Sequence, residues 1–204
     1  RSYVDAAVRS ARLLGDSAAD PAVRQRLLLD VHEGRADEAG AAARARADEL
    51  AAADDPLLAA AYLAVAAFAA AFTGDVDGVL DVTARAAGHF ASIGVVEPIG
   101  RLDPAAERME ALVHAGRLDD AEALLAVVRE RLTRVPRPWL EAAWRRAAAE
   151  LAIARGSTGA AIDLAVPPDG ARPFDRARIL VTRGRALRRA RRTGAADEAF
   201  TDAA

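Results

Sequence analysis

This 204-residue sequence contains three histidines, whose side chains could bind a metal or carry a proton. His32 and His114 each lie two residues before a glycine, where a helix would end, and a protonated histidine is stabilised in the last turn of a helix. His32 and His114 lie two helix hairpins apart along the chain, which corresponds to on the order of 20 Å at ordinary helix packing distances. His89 has no acidic residue or histidine three or four positions away. The sequence therefore predicts no metal site.

Carboxylates and hydroxyls are the other groups that could support catalysis. Glu107 and Glu110 lie one helical turn apart, and Glu141 and Arg145 are spaced as a surface ion pair. The Ser-Thr pair at 157–158 follows a glycine as a turn would, with no base nearby in sequence. Cysteine and lysine are both absent, which excludes thiol nucleophiles, Schiff bases and the lysine of a phosphate-binding loop. We predict that the chain is not an enzyme and that it uses no cofactor.

An arginine cluster near the C-terminus is the strongest concentration of charge. All 28 basic residues are arginines, and six fall within one predicted helix: Arg183, Arg185, Arg188, Arg189, Arg191 and Arg192. The helical period spreads them round more than one face, and no aromatic residues interleave for base stacking. The net charge of −2 gives no general attraction for nucleic acid. A solvated helix surface is favoured over a patch that contacts DNA, a nucleotide or another domain.

Prolines and glycines divide the sequence into five repeats. A proline precedes each apolar stretch and a glycine follows it, namely Pro21, Pro56, Pro104, Pro138 and Pro173, then Gly34, Gly74, Gly116, Gly156 and Gly194. The glycines lie 40, 42, 40 and 38 residues apart, and a period of about 40 with two helices per repeat is typical of an α-solenoid. The alanine-rich composition favours helix throughout. We predict an all-α solenoid of about five helix hairpins, forming a single domain over residues 1–204.

The longest apolar run, residues 57–72, is too short and too weakly hydrophobic for a membrane span, for which about 20 strongly apolar residues are expected. A buried helix is the better interpretation. The N-terminal residues show no basic-then-apolar leader pattern. We expect a soluble, cytoplasmic protein that does not bind a membrane.

Four of the repeat glycines are followed five residues later by alanine, namely Ala39, Ala121, Ala161 and Ala199, and the second repeat is a variant with Val79. A small residue lets two antiparallel helices approach closely. In this feature the repeats resemble tetratricopeptide repeats, although their period is longer than that family's standard 34. The resemblance implies a right-handed superhelix whose concave face is lined by the first helix of each hairpin.

Counting back from each glycine, the resemblance assigns eight residues to the concave face: Phe68, Phe72, Glu110, His114, Arg146, Glu150, Arg188 and Arg192. An aromatic floor beside a wall of mixed charge would suit a small amphipathic effector or an extended segment of a partner protein. The two phenylalanines could instead belong to the core. The lysine and asparagine with which this family clamps chaperone tails are absent from the sequence.

Residues 102–204 carry a more specific resemblance, in the segments 116–125, 138–146, 172–180 and 184–192. The Pro-Phe-Asp-Arg-Ala-Arg and Gly-Arg-Ala-Leu-Arg-Arg blocks are its most characteristic parts. This region is similar to the helical repeats of large ATP-binding LuxR-type transcriptional regulators of actinobacteria. The resemblance implies a non-enzymatic sensor or protein-interaction module that signals to a DNA-binding domain elsewhere in a longer chain. The alternative is a stand-alone scaffold for protein complexes.

The ends of a solenoid normally need polar caps. Here the terminal helices carry apolar residues instead, namely Val4, Val8, Leu13 and Leu14 at one end and Leu187 with Phe200 at the other. An uncovered apolar face tends to associate with another copy of the same chain. The sequence therefore predicts self-association through the terminal helices.

Overall fold

The structure is a computed structural model that describes residues 4–8, 16–98 and 102–204. These residues form eleven helices and no strand, so the all-α prediction is confirmed. The helices are α1 (residues 4–8), α2 (Asp16–His32), α3 (Ala36–Ala52), α4 (Pro56–Thr73), α5 (Val76–Ser92), α6 (Ala105–His114), α7 (Leu118–Arg134), α8 (Pro138–Ala154), α9 (Thr158–Leu164), α10 (Pro173–Arg189) and α11 (Thr193–Thr201).

The chain forms two compact units, an N-terminal unit of residues 1–104 and a C-terminal unit of residues 105–204. In the N-terminal unit α2 to α5 each pack against the next helix, and α2 also packs against α4. In the C-terminal unit α6 to α11 follow the same rule, and α8 also contacts both α6 and α10. Helices that contact only their near neighbours along the chain fit a helical-repeat arrangement. The single-domain extent of residues 1–204 stays a prediction.

The turn between the two helices of a repeat contains a residue with positive φ. Glycine occupies this position in four repeats, namely Gly34, Gly74, Gly116 and Gly156, with φ between 72° and 87°. In the fifth repeat the residue is Arg191, at φ 59°, while Gly194 lies inside α11. The prediction that Gly194 ends the first helix of the fifth repeat is therefore wrong by three residues.

Backbone hydrogen bonds show why Arg191 takes the place of a glycine. At the end of α6, the Gly116 amide donates to Val113 (3.0 Å) and the next amide donates to Leu112 (2.9 Å). At the end of α10, the Arg191 amide donates to Arg188 (3.0 Å) and the next amide donates to Leu187 (2.9 Å). The same pair of backbone hydrogen bonds ends both helices, and this pattern requires a residue in the left-handed conformation at that position.

Replacing Arg191 with glycine should stabilise the protein. A side chain in the left-handed region costs roughly 1–2 kcal/mol, and the extra freedom of glycine in the unfolded chain offsets about half of that. We expect Arg191→Gly to raise the free energy of unfolding by about 0.5–1 kcal/mol in urea titrations. The reverse change, Gly116→Ala, should lower it by about 1 kcal/mol. Destabilisation by Arg191→Gly would contradict the assignment of the turn.

The position five residues after each positive-φ residue is buried in all five repeats: Ala39, Val79, Ala121, Ala161 and Ala196. In the first four repeats these are the residues that the sequence pattern identified. In the fifth repeat this position is Ala196 rather than the predicted Ala199, although Ala199 is buried as well. The shift again follows from Arg191.

Two Asp-Pro pairs differ in their position relative to a helix. Asp55 caps α4, where its carboxylate accepts a hydrogen bond from the Leu58 amide (3.0 Å) and Pro56 is the first helical residue. By contrast, α2 begins at Asp16 and contains Pro21 in its interior. The proline of the first repeat therefore does not mark the start of its helix, which begins five residues earlier.

Asp20 belongs to a buried polar network within the N-terminal unit. Its carboxylate accepts hydrogen bonds from the Tyr62 hydroxyl (2.7 Å) and from the Arg46 guanidinium (3.3 Å). Burial raises the pKa of Tyr62, and the hydrogen bond to Asp20 raises it further. This network links α2, α3 and α4, so a tertiary contact replaces the local helix cap.

Helix α4 is long and apolar enough to cross a membrane by length and composition, the one such helix among the described residues. However, 67% of its apolar window is buried inside the protein. It packs against α3 and α5, and its residues make up much of the N-terminal core. The interpretation of the apolar run as a buried core helix is confirmed.

Leu187 and Phe200 do not form the uncovered apolar face predicted for the C-terminal end. Leu187 is only 2% exposed, in the core of the C-terminal unit. Phe200 packs against Gly184, where an added Cβ would lie 2.6 Å from the phenylalanine ring. The prediction is wrong at this end because α11 packs onto α10. At the other end, Val4 and Val8 are partly exposed, while Leu13 and Leu14 lie outside the described residues.

Candidate ligand-binding cleft

The first helices of three successive repeats, α6, α8 and α10, line one half-open cleft of about 290 Å³ within the C-terminal unit. Its lining includes the residues six positions before the three positive-φ residues, Glu110, Glu150 and Arg185. The other lining residues are His114 on α6, Arg146 on α8, and Phe174, Ala177, Arg178, Val181 and Thr182 on α10. Equivalent positions in the repeats therefore face one common space.

Glu110 joins the three helices from beneath the cleft. Its carboxylate forms a close ion pair with Arg146 and accepts a hydrogen bond from Nη2 of Arg178 (2.9 Å). Both Glu110 and Arg146 are buried. Burial raises the pKa of the Glu110 carboxyl, and the positive charges of Arg178 and His114 oppose that rise. One buried carboxylate thus connects the third, fourth and fifth repeats.

Glu150 forms a second buried centre one repeat further along. Its Oε1 accepts hydrogen bonds from the Thr182 hydroxyl (3.0 Å) and from Nη1 of Arg185 (2.6 Å). Glu150 and Thr182 are both buried, whereas Arg185 is exposed. The two glutamates are therefore held below the surface of the cleft by arginines of α10.

The mouth of the cleft carries both basic and apolar side chains, most of them from α10. The Arg178 side chain is 32% exposed and that of Arg185 is 50% exposed, and His114 is also exposed. The Arg178 guanidinium lies 5.6 Å from the centre of the Phe174 ring, within range of a cation–π contact. Three guanidinium groups face two carboxylates, so the lining carries a net positive charge even with His114 neutral.

Four of the eight residues predicted for the concave face come together in this cleft, namely Glu110, His114, Arg146 and Glu150. Phe68 and Phe72 belong to the N-terminal unit, where both rings lie near His32, at 5.3 and 6.3 Å between centroids. Phe68 is buried, as the core interpretation holds, while Phe72 is 47% exposed. These aromatic residues therefore do not belong to the cleft.

Arg188 and Arg192 do not line this cleft, and their assignment to a concave face stays a prediction. Arg188 lies over the Phe200 ring at 4.6 Å and pairs with Asp197 (3.4 Å), while Arg192 is the N-cap residue of α11. The cause is the three-residue error in register, because the count began at Gly194. Counting from Arg191 assigns Arg185 in place of Arg188.

The lining residues on α10 were not predicted as site residues, namely Phe174, Ala177, Arg178, Val181, Thr182 and Arg185. A signal for the correct register was available in the sequence. The Ala-Leu pair at 111–112 recurs at 186–187, which matches Gly116 with Arg191 rather than with Gly194. Both pairs are buried, as expected for equivalent core positions.

Other arginines of the C-terminal cluster cap helices. Nη1 of Arg183 donates to the carbonyl of Ile162 (2.9 Å), near the end of the short helix α9. Nη1 of Arg189 donates to the carbonyl of Ile153 (3.1 Å), at the end of α8. Guanidinium groups in these places satisfy carbonyls and complement the helix dipole. The sequence did not predict this structural role for the cluster.

Metal ligands are not grouped in this structure: within residues 4–8, 16–98 and 102–204, no three histidine, aspartate or glutamate side chains are arranged to hold an ion. His32 and His114 lie in the last turns of α2 and α6, where the sequence placed them.

Comparison with known proteins gives one informative likeness. No protein-family model matches the chain, and no curated protein matches it. The structure is similar to the crystal structure of BtubC (BKLC) from P. vanneervenii, with a TM-score of 0.70 at 15% sequence identity. The match covers 99% of this chain and 87% of that one. At this identity the likeness shows the fold alone.

Proposed function

We propose that this protein is a non-enzymatic helical-repeat binding module whose cleft between α6, α8 and α10 holds an effector or a segment of a partner. The observation that carries this proposal is the convergence of Glu110, His114, Arg146 and Glu150 with the α10 side chains in one cleft. Helical-repeat proteins bind ligands on extended surfaces made by equivalent helices. A ligand that bridges two repeats favours one angle between them, which is how such a module can transmit binding.

The finer architecture belongs to the same proposal. The glycine followed five residues later by a small residue supports tetratricopeptide-type hairpins, and that family's right-handed superhelix is the arrangement we propose. The buried residue at this position in every repeat is consistent with such hairpins.

The biological setting rests on sequence resemblance. The blocks within residues 102–204 support a role as the sensor region of a LuxR-type transcriptional regulator, acting in the cytoplasm and reaching DNA through a separate domain of a longer chain. The alternative is a stand-alone scaffold for protein complexes. The reading frame around the encoding gene distinguishes the two, because only a regulator continues into a helix-turn-helix domain.

Filling the cleft should abolish binding. Ala177 lies at the cleft wall, so Ala177→Trp would place an indole in the space that a ligand needs. Val127 on α7 is 46% exposed and lies outside the cleft lining, so Val127→Trp is the matched control. A thermal-shift screen of metabolites, nucleotides and peptides should find compounds that stabilise the wild-type chain and Val127→Trp but not Ala177→Trp.

Two results of that screen would contradict the proposal. One is a set of ligands that stabilise Ala177→Trp as much as the wild type, which would place binding elsewhere. The other is turnover of a ligand by the wild-type chain that Ala177→Trp abolishes, which would show that the cleft is catalytic.

A further inference from the structure

We infer that the ligand of this cleft is a small organic oxyanion, with a carboxylate or phosphate head group held by Arg178 and Arg185 and an apolar body resting on Phe174 and Val181. This inference rests on the proposed binding function and names the chemistry of its ligand.

The negative charges of the cleft lie deeper than the positive charges. The side chains of Glu110 and Glu150 are only 12% and 8% exposed. The arginines that pair with them from α10 reach towards solvent, at 32% exposure for Arg178 and 50% for Arg185. A ligand entering the cleft therefore meets guanidinium groups before it meets carboxylates. The cleft should attract anions and repel cations.

The hydrogen-bonding capacity of these arginines is the second argument. Each guanidinium carries five N–H donors. Arg178 donates one hydrogen bond to Glu110, and Arg185 donates one to Glu150. The planar fork of a guanidinium matches the paired oxygens of a carboxylate or a phosphate, and such charge-assisted bonds are short and strong. The two arginines can therefore bind an oxyanion without breaking their hydrogen bonds to Glu110 and Glu150.

The apolar residues of the cleft and its volume limit the chemistry and size of the part of the ligand beyond the head group. Phe174, Ala177 and Val181 form an apolar strip along α10, and Val181 is 42% exposed. The cleft volume of about 290 Å³ lies just below the usual range for small-molecule sites, which is roughly 300–1,000 Å³. A small molecule with one apolar group fits this space.

Each buried glutamate has a second partner besides its α10 arginine. If Arg178 is replaced, Glu110 keeps its ion pair with Arg146. If Arg185 is replaced, Glu150 keeps its hydrogen bond from Thr182. Arg178→Gln and Arg185→Gln therefore remove a head-group contact without leaving a glutamate unpartnered. Arg134→Gln is the matched control, because Arg134 is an exposed arginine on α7 paired with Glu130 outside the cleft.

The test is isothermal titration calorimetry of the full chain with 4-phenylbutyrate, phenyl phosphate, inorganic phosphate and the neutral 4-phenylbutyramide. We expect at least one aryl oxyanion to bind, and the neutral amide to bind about tenfold more weakly than the carboxylate. Arg178→Gln and Arg185→Gln should each weaken oxyanion binding by about tenfold, with no change in Arg134→Gln. The preference between phenylbutyrate and phenyl phosphate identifies the head group.

Four outcomes would overturn the inference. If the amide binds as tightly as the carboxylate and Ala177→Trp abolishes both, the proposed binding function stands but its oxyanion chemistry is wrong. If inorganic phosphate binds as tightly as phenyl phosphate, the apolar body is wrong. If no oxyanion binds at millimolar concentration, or if binding survives in Ala177→Trp, the cleft is not an oxyanion site.

Discussion

Glu110→Ala is expected to lower the free energy of unfolding by about 3–5 kcal/mol, the usual cost of breaking a buried ion pair. Arg146 is 8% exposed and forms a close ion pair with this carboxylate. Removing the carboxylate leaves a buried guanidinium without its main counter-charge, and leaves Arg178 without its acceptor. Urea denaturation followed by circular dichroism measures the loss.

Two controls separate this effect from a general effect of losing a glutamate. Glu141 forms an ion pair with Arg145 one turn away on α8, at 30% exposure for both side chains, so Glu141→Ala should cost at most about 0.5 kcal/mol. The double variant Glu110→Leu/Arg146→Met replaces both charges with apolar groups and should recover most of the stability. A cost for Glu110→Ala no greater than that for Glu141→Ala would show that this ion pair is not buried.

Leu63→Ala is expected to cost about 2–5 kcal/mol, because deleting a fully buried leucine removes apolar contacts and leaves a cavity. Leu63 has no exposed surface, and it packs in the core cluster that includes Tyr62, Ala59 and Val82. The same denaturation experiment measures the loss.

Leu57 provides the matched control on the same helix. It lies in the first turn of α4 and is 47% exposed, so Leu57→Ala should change stability by at most about 0.5 kcal/mol. The contrast tests whether α4 is a core helix rather than a membrane-facing one. Equal effects of the two substitutions would contradict its placement in the core.

The sequence predicts most of the helices because their ends have local causes. Asp55 and Pro56 start α4 where expected. In four of the five repeats, a glycine with positive φ ends the first helix of the hairpin. The same regularity predicts much of the cleft. Glu110 and Glu150 each lie six residues before such a glycine, and equal spacing brings equivalent side chains to one face.

Two of the remaining errors come from contacts between residues distant in sequence, and a third comes from a local turn that lacks its usual glycine. Asp20 resembles a helix cap, but Tyr62 and Arg46 bind its carboxylate. Arg191 adopts a glycine-like conformation because the hydrogen bonds that end α10 close there. Arg183 on α10 binds a carbonyl of α9. The position of α9 relative to α10 does not follow from the helical period of the sequence.

Nuclear magnetic resonance of the ¹⁵N-labelled full chain, titrated with 4-phenylbutyrate, tests most directly that the cleft between α6, α8 and α10 is the binding site. We predict that shift changes are largest at the side-chain Nε of Arg178 and Arg185 and at the amides around Glu110 and Glu150. The Nε signal of Arg155, which pairs with acidic residues of α7 outside the cleft, should not move. Changes centred instead on Phe68 and Phe72 in the N-terminal unit would contradict the assignment of the cleft.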